Sequence, residues 1–132
     1  MKILAFSDLH LARRAARELV AASAAADLVI GAGDFCNMRQ GLDQAMELLS
    51  GITAPMVLVP GNAESADELR AEALPNASVL HGDGMEIDGL HLFGLGGGVP
   101  PTPFGEWSFD LSEAEAAAML APCEVADILI TH

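Results

Sequence analysis

The apolar residues fall into short unbroken runs, and the run that sets the pattern is the first. Ile3-Leu4-Ala5-Phe6 has no helical spacing and runs straight into Ser7-Asp8-Leu9-His10. A run of this kind predicts a strand buried on both faces. The same grammar recurs twice. Asp27 opens Leu28-Val29-Ile30, which ends in Gly31-Ala32-Gly33-Asp34, and Pro55 precedes Met56-Val57-Leu58-Val59, which ends in Pro60-Gly61-Asn62-Ala63-Glu64. Helical periodicity fills the intervals. From Leu11 to Ala26, Leu11, Ala15, Leu19, Ala22 and Ala26 form one apolar stripe, with Arg13, Arg14, Arg17 and Glu18 largely opposite it. Leu42 to Leu49 turns Leu42, Ala45, Met46 and Leu49 inward. Ser65-Ala66-Asp67-Glu68 is a capping box that opens a helix to about Ala73, ahead of Pro75. Three successive strand–loop–helix units predict a mainly parallel sheet with helical crossovers.

The middle of the chain changes period. Ser78-Val79-Leu80 is a short strand. Met85-Glu86-Ile87 and Leu90 to Leu95 flank Asp88-Gly89, the strongest short-range hairpin signal. A second, antiparallel sheet is therefore expected to begin there. Gly96 to Gly105 carries too much Gly and Pro for a helix or a central strand and predicts a long ordered loop anchored by Trp107 and Phe109. Long loops in compact domains are disproportionately functional. Ser112-Glu113-Ala114-Glu115 is a second capping box, opening a helix to about Leu120. Ala126 to Ile130 predicts another buried strand, with Thr131-His132 at its end.

Length and composition narrow the class. At 132 residues, with 52% hydrophobic and 19% charged residues, the chain reads as one globular domain rather than a disordered segment. Six Lys and Arg against nineteen Asp and Glu, net −13, argue against a footprint for duplex nucleic acid. A phosphate-bearing substrate would need local positive charge, and bound cations are the usual source in an acidic protein. Cys36 and Cys123 show no disulfide or zinc pattern and suit a reducing compartment. The apolar stretch before Ser7 is too short for a signal-peptide core, and no run is long enough for a membrane span. A soluble cytoplasmic protein without membrane contact is the expectation.

Chemistry-bearing side chains collect at the strand ends. In open α/β sheets, ligands sit beyond the carboxyl ends of the strands. Asp8 and His10 are alternate residues, which share a face if the segment is extended. A hard oxygen beside an imidazole suits a first-row divalent metal, although a lone Asp at a strand end is more often a turn former or a cap. Asp34, Asn62 and His132 each follow a further hydrophobic strand.

The ordered set Asp-x-His, Gly-Asp, Gly-Asn-x-Glu and strand-Thr-His resembles the calcineurin-like metallophosphoesterases along the whole chain. The stretch Gly-Gly-Val-Pro-Pro-Thr-Pro-Phe-Gly-Glu-Trp resembles a bacterial and archaeal subgroup of that family. The resemblance implies an α/β fold of two sheets in an αββα sandwich. It implies hydrolysis of a small phosphomonoester or phosphodiester by a metal-activated hydroxide. It also implies two divalent cations, Mn2+ foremost and otherwise Fe, Zn, Ni or Mg. Asp34 would bridge the cations, Asp8 and His10 would hold the first, and Asn62 and His132 the second. Asn62 would also be catalytic, its NH2 meeting a phosphate oxygen. Two metals about 3.5–4 Å apart can hold both oxygens of an in-line phosphoryl displacement.

Two departures from the family pattern matter. Gly61-Asn62-Ala63-Glu64 stands where the family reads Gly-Asn-His-Asp/Glu. Ala63 cannot protonate a leaving group, so esters with good leaving groups should be preferred, unless the loop after Gly98 supplies a donor. The chain also stops at His132 without the family's Gly-His-x-His motif. Residues 1–132 are therefore expected to form one C-terminally incomplete domain that binds metal weakly and leaves apolar surface open. Both departures suit an alternative reading, a catalytically silent member of the fold that binds a protein partner. A receiver-like signalling domain would need a lysine at a late strand end, and none follows Lys2. Glu64 is expected as a helix-end charge or an outer acceptor, His81 and His91 as structural, Cys36 as a small buried residue, and Arg39 as a surface charge.

Overall fold

The computed structural model describes residues 1–132. The elements run β1 (Ile3–Phe6), α1 (Arg13–Ser23), β2 (Leu28–Ala32), α2 (Leu42–Leu48), β3 (Met56–Val59), α3 (Ala66–Glu72), β4 (Ala77–Val79), β5 (Asp83–Ile87), β6 (Leu90–Leu95), α4 (Glu113–Leu120) and β7 (Ile128–Thr131). The first sheet is wholly parallel in the order β1-β2-β3-β4. In the second, β5 and β6 form an antiparallel hairpin and β7 lies parallel to β6. The hairpin turns at Asp88 and Gly89, both with positive φ (49° and 81°), as a two-residue turn of this hand requires.

The central strands are continuously apolar because both their faces are covered. Val29, Met56 and Leu58 pack against Ala45, Leu49 and Leu69 of the helical layer formed by α1–α3. Their alternate neighbours Leu28, Ile30, Val57 and Val59 face the other way, onto Leu80, Leu92 and Ile130 of the second half of the chain. Leu95, Leu111 and Ala116 form a smaller cluster where α4 meets the second sheet. The layers are thus α, β, β and α, the expected sandwich. No helix is long and apolar enough to cross a membrane.

Three local expectations need correction. β1 is not buried on both faces: Ile3 is 40% exposed and Ala5 is exposed, because β1 is the edge of its sheet. β7 is likewise an edge strand, with Ile130 buried and Leu129 54% exposed. An apolar run signals burial but not whether a second sheet lies over both of its faces. Helix α1 starts at Arg13 rather than Leu11, because Leu11 adopts a left-handed conformation (φ 61°) and donates its N–H to the Phe35 carbonyl.

The loop from Gly96 to Asp110 crosses the carboxyl end of β3. Gly97 N–H donates to the Pro60 carbonyl at 3.1 Å and Phe109 N–H to the Asn62 carbonyl at 2.8 Å. Phe109 anchors the loop against His81, 5.4 Å between ring centres, whereas Trp107 stacks within the loop on Phe104 at 6.1 Å. His81 is structural here, its Nδ1 accepting from Gly96 N–H at 3.1 Å.

Phe35 seats the loop after β2. It is fully buried and meets Phe6 edge-on at 5.9 Å. Phe35→Ala should lower unfolding free energy by about 3–5 kcal/mol, read from a urea midpoint with an unchanged slope. A loss below about 1 kcal/mol would show that the ring does not hold this loop.

Candidate metal centre

The three loops that follow β1, β2 and β3 are bound to one another before any side chain is considered. Asp8 N–H donates to the Gly33 carbonyl (2.9 Å), His10 N–H to that of Asp34 (3.1 Å) and Leu11 N–H to that of Phe35 (3.1 Å). Asp8, His10 and Asp34 all have positive φ (55°, 47° and 58°). Asp8 and His10 therefore do not share a face of an extended segment, as their spacing alone suggested. They are brought together by a left-handed turn that the β2 loop holds in place. Such conformations cost on the order of 1–3 kcal/mol each and persist where the surroundings over-determine them. Two glycines allow the close approach of the loops. A Cβ on Gly61 would lie 2.1 Å from Asp34 Oδ1, and one on Gly33 (φ 90°) would lie 2.4 Å from Gly61 N.

Glu64 is the latch between the β2 and β3 loops. It is fully buried. Its carboxylate accepts from the N–H groups of Phe35 (2.7 Å), Asp34 (3.0 Å) and Gly61 (2.7 Å). It is thus the outer acceptor anticipated from sequence, and it turns no oxygen to the cluster. Burial pushes its carboxyl above the ordinary value; the three N–H donors offset this only in part, and the nearby Asp34 charge adds to the rise.

The side chains converge on Asp34. Its Oδ1 accepts from Asn62 N–H and Ala63 N–H, both at 2.9 Å. Its Oδ2 lies 3.6 Å from His10 Nε2 and 3.4 Å from His132 Nε2. Asp8 Oδ1 lies 3.4 Å from His10 Nε2, and Asp8, Asp34 and His132 offer ligand atoms within 4.8 Å of one another. Both imidazoles are oriented from behind. His132 Nδ1 sits 2.8 Å from the Ala32 carbonyl, and His10 Nδ1 sits 3.0 Å from both the Cys36 carbonyl and Asn37 Oδ1. Carbonyl oxygens can only accept, so Nδ1 carries the proton and a neutral ring turns its Nε2 lone pair inward.

Asn62 lies between this cluster and the crossing loop. Its NH2 donates to Ser108 Oγ at 2.9 Å, and its amide oxygen faces Asp34, where that end of the group is 3.3 Å from both carboxylate oxygens. Between protein atoms alone, the opposite orientation would satisfy Asp34 better, because oxygen facing oxygen has no proton to share. A cation held by Asp34 and Asn62 would reverse that preference. The donor set of carboxylates, an amide oxygen and two imidazoles fits first-row divalent ions. Asp8, His10, Asp34, Asn62 and His132 would hold them.

Charge follows from this packing. Burial pushes Asp34 up, but the hydrogen bond with His132, the Ala63 N–H and the His132 and His10 charges outweigh it, and the net direction is down. The hydrogen bond to Asp34 raises His132 most, and with the Ala32 carbonyl and the Asp8 charge it outweighs burial, taking His132 to about 9. Burial lowers His10, but the Cys36 carbonyl and the nearby acids leave it above its ordinary value. Burial, then Glu64, pushes the Cys36 thiol up to about 12, which makes it an inert buried group.

All five residues singled out by sequence meet here. Arg39 is engaged by Glu68 and the Trp107 carbonyl. Sequence reading passed over Asn37, which steadies His10, and Ser108 with Asp110, which contact Asn62 directly and through one intermediary. Nothing in their residue types marks them; only the folded loops bring them to the site.

Glu64→Gln sets an NH2 against backbone donors. It should destabilise the protein by about 2 kcal/mol by thermal unfolding, and a neutral change would show that the latch does not hold the loops. His132 is raised above its ordinary value, so its pairing with Asp34 contributes fully below pH about 6.5 and is lost as pH rises through about 9. A cation must displace that proton at neutral pH. Metal affinity should therefore climb towards pH 9, and calorimetry in buffers of different ionisation enthalpy should record proton release. A heat independent of buffer would contradict this.

No curated protein matches the chain significantly in sequence. Among solved structures, the Thermus thermophilus protein TT1561 superposes with a TM-score of 0.82 at 19% identity, covering 98% of this chain and 66% of its own. A second crystal structure gives 0.75 at 17% identity, covering 98% of this chain and 67% of its own. The chain thus spans about two thirds of the length of these relatives in fold. The model of the calcineurin-like phosphoesterase superfamily domain matches residues 1–126, nearly the whole of the sheet framework that carries Asp8, His10, Asp34 and Asn62. By that match the chain belongs to the calcineurin-like phosphoesterase superfamily.

Proposed function

We propose that this chain is a metal-dependent phosphoesterase acting on a small phosphomonoester or phosphodiester. The observation that carries the reading is the convergence of Asp8, His10, Asp34 and His132, where Asp34 Oδ2 lies 3.6 Å from His10 Nε2 and 3.4 Å from His132 Nε2, and Asp8 Oδ1 lies 3.4 Å from His10 Nε2. Two divalent cations, with Mn2+ foremost, would neutralise the phosphate and acidify the attacking water.

The residues of the chain then divide the remaining work. Asp34, with Oδ2 flanked by both imidazoles and Oδ1 fixed by two backbone N–H groups, would hold the cations together with His10 and His132. Asn62 uses one N–H on Ser108 and keeps the second for a phosphate oxygen. The charge balance needs the cations, because the chain is net −13 and Arg39 is paired with Glu68. Ala63 supplies no acid and is 2% exposed. The hydroxyls of the crossing loop do not replace one, since Ser108 and Thr102 are both engaged by Asp110.

The alternative, a catalytically silent member of the fold that binds a protein partner, draws on Ala63. Hydrolysis assays separate the two. Nitrophenyl phosphate and bis(nitrophenyl) phosphate should release nitrophenol with Mn2+, lose this with a chelator, and lose it in Asp34→Asn. Without a general acid, worth ~10²–10⁴ in rate, alkyl esters should be slower than nitrophenyl esters by a correspondingly steep margin. Metal binding without turnover on any ester would favour the scaffold reading.

A further inference from the structure

The crossing loop contains a hydrogen-bond chain that ends on the amide of Asn62. We propose that Ser108 and Asp110 are positioning residues that fix the direction of the Asn62 amide, holding its oxygen towards Asp34 and the cations. The inference rests on the metal-dependent reading above and adds to it the device that orients one ligand.

Asp110, as a carboxylate, can only accept. Its Oδ2 receives Thr102 N–H at 2.8 Å and Thr102 Oγ1 at 3.0 Å, and its Oδ1 receives Ser108 Oγ at 2.7 Å. Slight burial raises Asp110, but these hydrogen bonds outweigh it and hold the carboxyl below its ordinary range. Ser108 has a single hydroxyl proton, and the contact to Asp110 takes it. What Ser108 presents to Asn62, 2.9 Å away, is therefore a lone pair. Asn62 must answer with its NH2, which leaves its oxygen on the Asp34 side. Thr102 Oγ1, 2.9 Å from Ser108 Oγ, also has one proton, and wherever it goes Ser108 still donates to Asp110.

Asn62 is thus under opposed demands. Asp34 alone would draw the NH2 towards itself; the Ser108–Asp110 pair draws it away. A bound cation would remove the conflict, because the amide oxygen would then be needed on the side where the loop holds it. The loop reaches Asn62 a second time, through Phe109 N–H on the Asn62 carbonyl at 2.8 Å, so backbone and side chain of the ligand are set by the same segment.

Asp110→Asn tests the direction of the chain with almost no change of shape. Thr102 N–H keeps the new amide oxygen in the place of Oδ2, so the NH2 takes the place of Oδ1 and donates to Ser108. Ser108 then turns its proton to Asn62 and reverses the amide. Mn2+ titration calorimetry should show affinity falling about 10–100-fold, as for outer-shell partners generally, with the thermal melt of the metal-free protein little changed. Ser108→Ala breaks the chain without reversing it and should weaken Mn2+ less. Adding Asp110→Asn to Ser108→Ala should then cost nothing further.

Wild-type affinity in Asp110→Asn would overturn the inference. So would an equal loss on adding Asp110→Asn to Ser108→Ala, since that would reflect lost charge rather than direction. Should Asp110→Asn fail to fold, Ser108→Ala decides: weakened Mn2+ with an intact melt supports the inference, and unchanged affinity overturns it. Wild-type protein that takes up no Mn2+ would remove the metal reading and this inference together, whereas wild-type binding with unaffected variants would remove only the inference.

Discussion

Asp34 is the group on which the site depends. One of its oxygens belongs to the backbone, held by the N–H groups of Asn62 and Ala63, and the other faces His10 and His132. A carboxylate fixed in this way cannot rotate to satisfy itself elsewhere. Its left-handed backbone, the glycines that let the β2 and β3 loops touch, and the buried Glu64 beneath them all serve to keep that second oxygen in place. The loops would otherwise be free to separate, since their own backbone donors would find water.

The site draws on both sheets. Asp8, His10, Asp34 and Asn62 come from loops at the carboxyl end of the parallel sheet, while His132 follows β7 of the second sheet and reaches across to the Ala32 carbonyl. The sandwich core of Leu28, Ile30, Val57, Val59 and Ile130 therefore does more than stabilise the fold. It fixes the distance at which His132 meets Asp34. Close packing makes such a distance stiff, because sheets stacked through interdigitated side chains do not slide freely.

The acidity of the chain and the composition of the site have one explanation under the proposed function. A protein with nineteen carboxylates and six basic residues does not attract a phosphate by itself. A cluster that gathers acceptors and leaves them facing one another attracts cations, and cations recruit the phosphate. Ala63, in place of the histidine usual in the family, removes a proton donor from the same cluster while its N–H still serves Asp34.

The strands, capping boxes and hairpin turn were legible in the sequence because each is a local pattern of apolar period or turn chemistry, and the strand-end residues were legible because their order matches a family. Burial of β1 and β7 was misread, since an apolar run does not record whether it will be an edge. Asp8 and His10 do come together, but not by sharing a face of an extended strand: a left-handed turn does it, and that turn depends on hydrogen bonds to a loop more than twenty residues away. Ser108 and Asp110 were invisible for the same reason. Residue type and spacing determined which groups could ligate; only tertiary contact decided that they meet, because the loops of two sheets must pack together before Asp34 can face both His10 and His132.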